Sequence, residues 1–296
     1  MINKIAVIGA GTMGNGIAHV CALAGHDVLL IDISVESLDR AIQTIQKNLK
    51  RQVDKELISQ AEADSALNKI TTLTTIDACN DTDLVIEAAS ENFEIKASIF
   101  KELDTICKPS CILATNTSSI SITKIAGSTQ RPEKVIGMHF MNPVPVMKLV
   151  EIINGYSTNS KTSESIEALT KALGKIPVVV EDYPGFVANK ILMPMINEAI
   201  CTLQEGVADV EGIDTVMKLG MAHPMGPLQL ADFIGLDVCK AILDVLHEGF
   251  GNPKYAPNPL LNNMVAAGHL GVKSKIGFYD WSNGTKDLIV AERFRK

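Results

Sequence analysis

"INKIAVIGAGTMGNGIAHVCALAGHDVLLIDI", residues 2–33, decides the fold. Its first apolar run has the length and composition of a strand. Gly9, Gly11 and Gly14 follow in G-x-G-x-x-G spacing. "TMGNGIAHVCALAG" then carries apolar residues at helical spacing and stops at Gly25, a natural helix C-cap. "HDVLLIDI" is a second apolar strand, and Asp32 near its end lies eighteen residues after Gly14. Such a glycine pattern is common by chance, but between a strand and a helix in a strand–helix–strand unit it carries a mechanism. Gly9 permits the tight turn, Gly11 lets a pyrophosphate approach the backbone, and Gly14 lets helix and strand pack closely. Unpaired amides at the helix start then hold the diphosphate. Asp32 is suited to accept hydrogen bonds from the adenosine ribose and to repel a 2′-phosphate, which favours NAD over NADP. The following "ISVES" holds no arginine for such a phosphate. The plainer alternative for Asp32 is a solvated carboxylate at a strand end.

The alternation continues outward. A polar helical region spans residues 35–67, and further strand-like runs are "KITTLTT", "DLVIEAA", "CILATN", "KVIGMHF", "KLVEII" and "IPVVVE". Strands alternating with helices predict an α/β domain, a Rossmann-type doubly wound, mostly parallel sheet. The character changes at "EDYPGF", after which almost every segment has helical spacing. Phe186, Met193, Ile196, Ile200 and Leu203 form one stripe, and residues 210–219, 228–246 and 260–267 are later helices. The expected division is a dinucleotide-binding domain over 1–183 and an all-helical substrate and dimerisation domain over 184–296. The terminal "SNGTKDLIVAERFRK" is polar and reads as a loosely attached tail.

A chain of 296 residues, 46% hydrophobic and 21% charged, is globular and has room for two domains. The net charge of −7 gives no general attraction to nucleic acid or anionic membrane. Cys21, Cys79, Cys107, Cys111, Cys201 and Cys239 are scattered without a C-x-x-C pair and read as reduced thiols. With no leader visible before Ile2 and no membrane-length apolar run, a cytoplasmic protein is expected. His19, His26, His139, His223, His247 and His269 show no metal-ligand spacing.

"VIGMHFMNPVPVMKLVEII", residues 135–153, puts His139 and Glu151 into two apolar runs around a turn at Asn142-Pro143-Val144-Pro145. A lone histidine on a strand is often a satisfied core residue. A carboxylate between Val150 and Ile152 must reach solvent, find a partner or carry a large desolvation cost. The turn brings the pair together, with Glu151 accepting from one imidazole nitrogen and the other taking a proton. "ATNTSS", residues 114–119, ends a strand with hydroxyls and an amide where α/β sheets place ligands, though Ser118 also reads as a helix N-cap. Asn189 lies on the apolar stripe of the first helix after the boundary, where its amide needs a partner such as a ligand oxygen. Pro194 removes a hydrogen bond within that helix.

Together the glycine loop, "NTSS", "GMHFMNPVPVMKLVEII", "PGFVANKILMPMINEA", "GIDTVMKLGMAHPMGPLQLADFIGLD" and "KIGFYDW" resemble the short-chain L-3-hydroxyacyl-CoA dehydrogenases. The bacterial 3-hydroxybutyryl-CoA group is the nearest match, and the resemblance covers about residues 2–281. It implies an NAD-dependent oxidoreductase acting on an acyl-CoA. His139 is then the general base that takes the 3-hydroxyl proton as hydride leaves C3, and Glu151 orients it. Ser118 and Asn189 contact substrate oxygens, while Asn116, Glu91 and Lys96 lie near the ribose and nicotinamide. Lys47, Lys50 and Arg51 offer charge to CoA phosphates, or are simply a solvated helix face. A homodimer is expected, because the second domain's apolar stripes exceed what it must bury alone. The rival readings are a dehydrogenase of a free hydroxy acid and a non-catalytic NAD(H)- or acyl-CoA-binding protein.

Overall fold

The computed structural model describes residues 2–285 and 287–295. It divides into two compact units, Met1–Tyr183 and Pro184–Lys296.

The first unit runs β1 (Lys4–Ile8), α1 (Thr12–Leu23), β2 (Asp27–Ile31), α2 (Val35–Asp54), α3 (Gln60–Asn68), β3 (Ile70–Leu73), β4 (Leu84–Glu87), α4 (Phe93–Ile106) and β5 (Ile112–Thr115). It continues through α5 (Ile122–Ala126), β6 (Val135–Phe140), β7 (Leu149–Asn154), α6 (Ser160–Ala172) and β8 (Ile176–Glu181). The eight strands form one sheet in the order β3-β2-β1-β4-β5-β6-β7-β8. From β3 to β6 every pair is parallel; β7 turns back antiparallel to β6, and β8 runs parallel to β7. This is the expected doubly wound, mostly parallel sheet. The central strands read as unbroken apolar runs because helices cover both faces. Ile5 and Val7 of β1 share a core with Ile17 of α1 and with Leu38, Ala41, Ile45 and Leu49 of α2. The intervening Ala6 points the other way.

The helical region expected over 35–67 is two helices. Glu56 adopts a left-handed backbone (φ 57°) after α2, and α3 starts afresh from a capping box between Ser59 and Glu62.

The second unit contains α7 (Ala188–Gln204), α8 (Val210–Thr215), α9 (Pro227–Ile234), α10 (Leu236–Phe250), α11 (Pro259–Ala266) and a small ribbon of β9 (Tyr279–Asp280) with β10 (Ile289–Val290). Three expectations need correction. Residues 210–219 do not form one regular α-helix, since Val216–Gly220 is a π-helical turn. Residues 228–246 are two helices, because Gly235 takes φ 102° between α9 and α10. The tail is not loose over its described residues. Ile289 and Val290 pair with β9, Ala291 is buried, and the Phe294 ring lies 5.6 Å from that of Phe278. Lys286 and Lys296 lie outside the described residues.

Two buried aspartates pin this end of the chain. Asp232 accepts from the amides of Phe278 (3.0 Å) and Tyr279 (2.9 Å) and from Trp281 Nε1 (2.9 Å). Asp214 accepts from the amides of Leu228 and Gln229 and from the Tyr279 hydroxyl at 2.7 Å. Part of "GIDTVMKLGMAHPMGPLQLADFIGLD" and "KIGFYDW" is therefore a structural staple. Gly226 and Gly277 face the two carboxylates so closely that a Cβ would lie 2.2 Å from Asp214 Cγ and 2.0 Å from Asp232 Oδ1.

Candidate active site

The strand order reverses between β1 and β4, and there the glycine loop leaves β1. Gly9 takes φ 97°, and a Cβ on it would meet the Ala88 carbonyl oxygen at 2.6 Å. A Cβ on Gly14 would lie 1.7 Å from the Gly9 oxygen, so α1 and the loop pack without room for a side chain. Gly11 differs: no atom lies within 4 Å of its hypothetical Cβ. It opens α1 with no side-chain cap on the helix amides. Open space over uncapped amides fits the diphosphate of a dinucleotide. Asp32 sits beside this loop, its Oδ2 accepting from Ala10 N (2.7 Å) and its Oδ1 from Ser34 N (2.9 Å). The carboxylate is thus fixed in place, and each oxygen keeps a lone pair for a ribose hydroxyl.

Glu91 follows β4 and gathers the loop after β5. Its Oε1 accepts from Thr117 Oγ1 (2.6 Å), Ser118 N (2.9 Å), Ser118 Oγ (3.3 Å), Ser119 N (3.2 Å) and Ser119 Oγ (3.1 Å). Burial opposes its charge, but the Thr117 hydroxyl, the Lys96 ammonium and the Ser118 and Ser119 donors outweigh it and hold the carboxyl below its usual range. Ser118 is not the N-cap of α5; Ser121 is, accepting from Lys124 N. Asn116 Oδ1 accepts from Phe140 N at 2.9 Å, fastening this loop to the end of β6.

Lys96, expected near the ribose and nicotinamide, is held inside the first unit. It has no exposed surface, and its ammonium bonds Glu87 Oε1 and Oε2 at 2.8 and 2.9 Å. Glu91 Oε2 lies 3.6 Å away, an ion pair that links Lys96 to the residue gathering the loop after β5. Glu87 was not singled out in the sequence, although a signal existed. It is a carboxylate inside the apolar run "DLVIEAA", the same anomaly that marks Glu151. It is fully buried and also accepts from Thr115 Oγ1 (2.6 Å) and Ala89 N (2.6 Å).

His139 and Glu151 are directly opposite each other in the antiparallel β6–β7 ladder. Residues so paired project to the same face, and His139 Nδ1 lies 2.8 Å from Glu151 Oε2. Their side chains are 12% and 3% exposed, so the pair is shielded but not sealed. A neutral imidazole that donates Nδ1–H to the carboxylate carries its lone pair on Nε2. The turn between the strands contains a cis Asn142–Pro143 bond, and the Pro143 oxygen accepts from Val146 N and Met147 N. Two rungs below, a Cβ on Gly137 would lie 2.8 Å from Ile153 and 2.9 Å from Ile122 Cδ1, so glycine admits α5 against the ladder.

Asn189 belongs to the second unit, buried in the first turn of α7. Phe186 is not part of that helix. It and Gly185 both take positive φ (49° and 75°), so the chain enters α7 through consecutive left-handed residues, an uncommon conformation for phenylalanine. The exposed Lys50 on α2 bonds its neighbour Asp54 at 3.0 Å. The first unit thus joins Ser118 to Glu91 by hydrogen bonds and Glu91 to Lys96 by an ion pair, ties Asn116 to the end of β6, and joins His139 to Glu151.

Comparison with known proteins supplies the family. Residues 4–183 match the family described as 3-hydroxyacyl-CoA dehydrogenase, NAD binding domain, and residues 185–281 match its C-terminal domain. The chain is 54% identical over 281 residues to 3-hydroxybutyryl-CoA dehydrogenase of Bradyrhizobium diazoefficiens, covering 95% of this chain and 96% of that one. It is 52% identical over 284 residues to the probable 3-hydroxybutyryl-CoA dehydrogenase of Bacillus subtilis, covering 96% and 99%. The crystal structure of (S)-3-hydroxybutyryl-CoA dehydrogenase from Ralstonia eutropha superposes with a TM-score of 0.93 at 50% identity, covering 95% of this chain and 100% of that one. The chain belongs to the 3-hydroxyacyl-CoA dehydrogenase family, an NAD-dependent oxidoreductase whose first unit is the NAD-binding domain.

Proposed function

We propose that this protein interconverts (S)-3-hydroxybutyryl-CoA and acetoacetyl-CoA, with His139 as acid–base group and Glu151 as its orienting partner. The observation that carries the reading is the 2.8 Å contact of two residues paired across β6 and β7. The names borne by the two bacterial relatives support the substrate. NAD, when bound by the glycine loop and Asp32, supplies the hydride acceptor. The chain's own residues manage the proton and the alignment. His139 Nε2 takes the proton of the 3-hydroxyl, and the imidazolium that forms faces the Glu151 carboxylate, which stabilises it in a shielded site. In the reductive direction the imidazolium returns that proton to the developing alkoxide. The Ser118 hydroxyl binds a substrate oxygen and helps to hold the reacting carbon in line. Glu91, supported by Lys96, orients Ser118.

The second unit associates with a second copy of the chain. A groove of about 430 Å³ between α7 and α8, lined by Met195, Ala199, Val207, Val216, Met217 and Pro227 among others, supports this. Ile191, Leu219 and Met221 are further exposed apolar side chains of the same unit. The mass in solution tests it, a monomer counting against. Six free cysteines suit a reducing cytoplasm, and among the described residues no helix is long and apolar enough to cross a membrane.

The deciding experiment follows NADH absorbance with acetoacetyl-CoA, repeated with NADPH and with free acetoacetate. Rapid loss with NADH and the thioester alone is the expected result. Turnover of free acetoacetate would assign a different substrate class, and NADH binding without turnover would leave only a binding protein.

A further inference from the structure

Lys175, between α6 and β8, is only 8% exposed and makes no ion pair among the described residues. Its ammonium instead donates to two backbone carbonyls, those of Val144 and, at 2.8 Å, Met147. Burial lowers its pKa, as expected for a cation taken from water without an acid. Both acceptors belong to the turn that joins His139 to Glu151. The same turn rests on α1, since Val144 is buried and a Cβ on Gly16 would come within 2.8 Å of Val144 Cβ. Lys175 itself is held on both sides, by Lys175 N to the Thr170 oxygen (3.1 Å) and by Ile176 N to the Lys148 oxygen (2.8 Å).

The ladder accounts for the alignment of β6 and β7 only as far as Phe140↔Val150, its last rung. His139↔Glu151 is the next rung inward, near the open end where pairing frays unless the turn beyond is fixed. The Pro143 carbonyl closes the turn on itself but does not attach it to the body of the unit. Lys175 supplies an attachment, and it does so at the cost of a buried, acid-free cation where an apolar side chain would be cheaper for stability.

We propose that Lys175 is a positioning residue for the acid–base pair, holding the turn so that His139 meets Glu151 in a fixed place relative to α1 and the glycine loop. The proposal rests on His139 being the base.

The test is Lys175→Met in the full chain, beside Lys175→Arg and His139→Gln. Measured are kcat and KM for acetoacetyl-CoA, the isotope effect with NADH deuterated at the transferred position, NADH affinity and the thermal midpoint. A slackened pair predicts a kcat loss of about 30-fold, since small misplacements in a reacting site carry penalties of that order. The isotope effect rises because the chemical step becomes more rate-limiting, while NADH affinity changes by less than about threefold. Lys175→Arg, which keeps charge and two donors, retains most of kcat. A purely structural role lowers the thermal midpoint and leaves kcat per folded site and the isotope effect unchanged, and that result overturns the proposal. Should Lys175→Met not fold, Lys175→Gln, a shorter uncharged amide in place of the ammonium, carries the same readouts and the same overturning result. Activity surviving in His139→Gln sinks the functional reading itself; normal Lys175 variants beside an inactive His139→Gln sink only this inference.

Discussion

Acidification from about pH 7 to about pH 5 should weaken the first unit and strengthen the second. His19 of α1 is buried, and neither ring nitrogen has a hydrogen-bond partner among the described residues. Burial chiefly, helped by the charge of Lys175 and opposed by Gln52, lowers its pKa from 6.5 to about 4. The unfolded chain therefore takes up a proton first, and stability present above pH 6.5 is lost as pH falls toward the folded value. The full loss is about 3 kcal/mol, of which about 2 kcal/mol is spent by pH 5. Asp232 in the second unit behaves oppositely. Burial pushes it up to about 6; donors from Tyr279, Trp281 and Phe278 oppose this and Asp214 adds to it. Its folded form holds a proton more tightly than the unfolded chain, so the second unit gains about 1 kcal/mol over the same interval. The chain's single tryptophan, Trp281, bonds Asp232 and reports on the second unit alone. Urea unfolding followed by its fluorescence should move to higher denaturant at pH 5. Unfolding followed by backbone circular dichroism should gain an earlier phase, which His19→Gln removes. A Trp281 transition that moves to lower denaturant at pH 5, in both wild type and His19→Gln, would refute the reasoning.

Three further outcomes are expected. His139→Gln lowers kcat by about three orders of magnitude while NADH still binds, and Glu151→Gln lowers it by about two with KM little changed; steady-state kinetics that show only a raised KM for Glu151→Gln would make it a binding residue. Glu87→Gln leaves Lys96 buried without its main partner and destabilises the first unit by about 3–5 kcal/mol, and Lys96→Met added to it restores part of the loss; a urea-derived change below about 1 kcal/mol would contradict the buried pair. Gly14→Ala costs about 2 kcal/mol or more because the Gly9 carbonyl cannot move aside, whereas Gly11→Ala leaves stability within about 0.5 kcal/mol and weakens NADH binding; a Gly11→Ala variant that binds NADH like wild type would show that the open space there is not the cofactor's.

Features that depend on local period were legible in the sequence. The strand–glycine–helix unit gives the dinucleotide fold because apolar spacing and turn residues are read over a few neighbours. The opening between α9 and α10 was not, since Gly235 sits in a pattern whose apolar spacing continues across it; only its backbone angle breaks the helix. The tail was misjudged for a related reason. Ile289, Val290 and Phe294 are too few to signal an element alone, and they gain a place only because Phe278 and Tyr279 present a strand and a ring to meet them.

Charges in apolar runs divide the site along the same line. Glu151 could be read because a turn of recognisable residues made one partner, His139, sequence-near and geometrically forced by antiparallel pairing. Glu87 stood in an equally apolar run, but its partner arrives from the first turns of α4 and its second donor from β5. No spacing rule links a strand end to a neighbouring strand's threonine in a parallel sheet, where the connection is a helix of variable length. Lys175 is harder still, because its partners are carbonyls, which every residue has. A buried lysine with an acid can be guessed from complementary charge, whereas one that binds backbone leaves no mark in its partners' side chains. Hidden from the sequence are thus Lys175, which bonds the turn between His139 and Glu151, and Glu87, which bonds Lys96, whereas His139, Glu151 and Glu91 stand out. Mutations in the hidden class should be felt as misalignment, with kcat falling before affinity does.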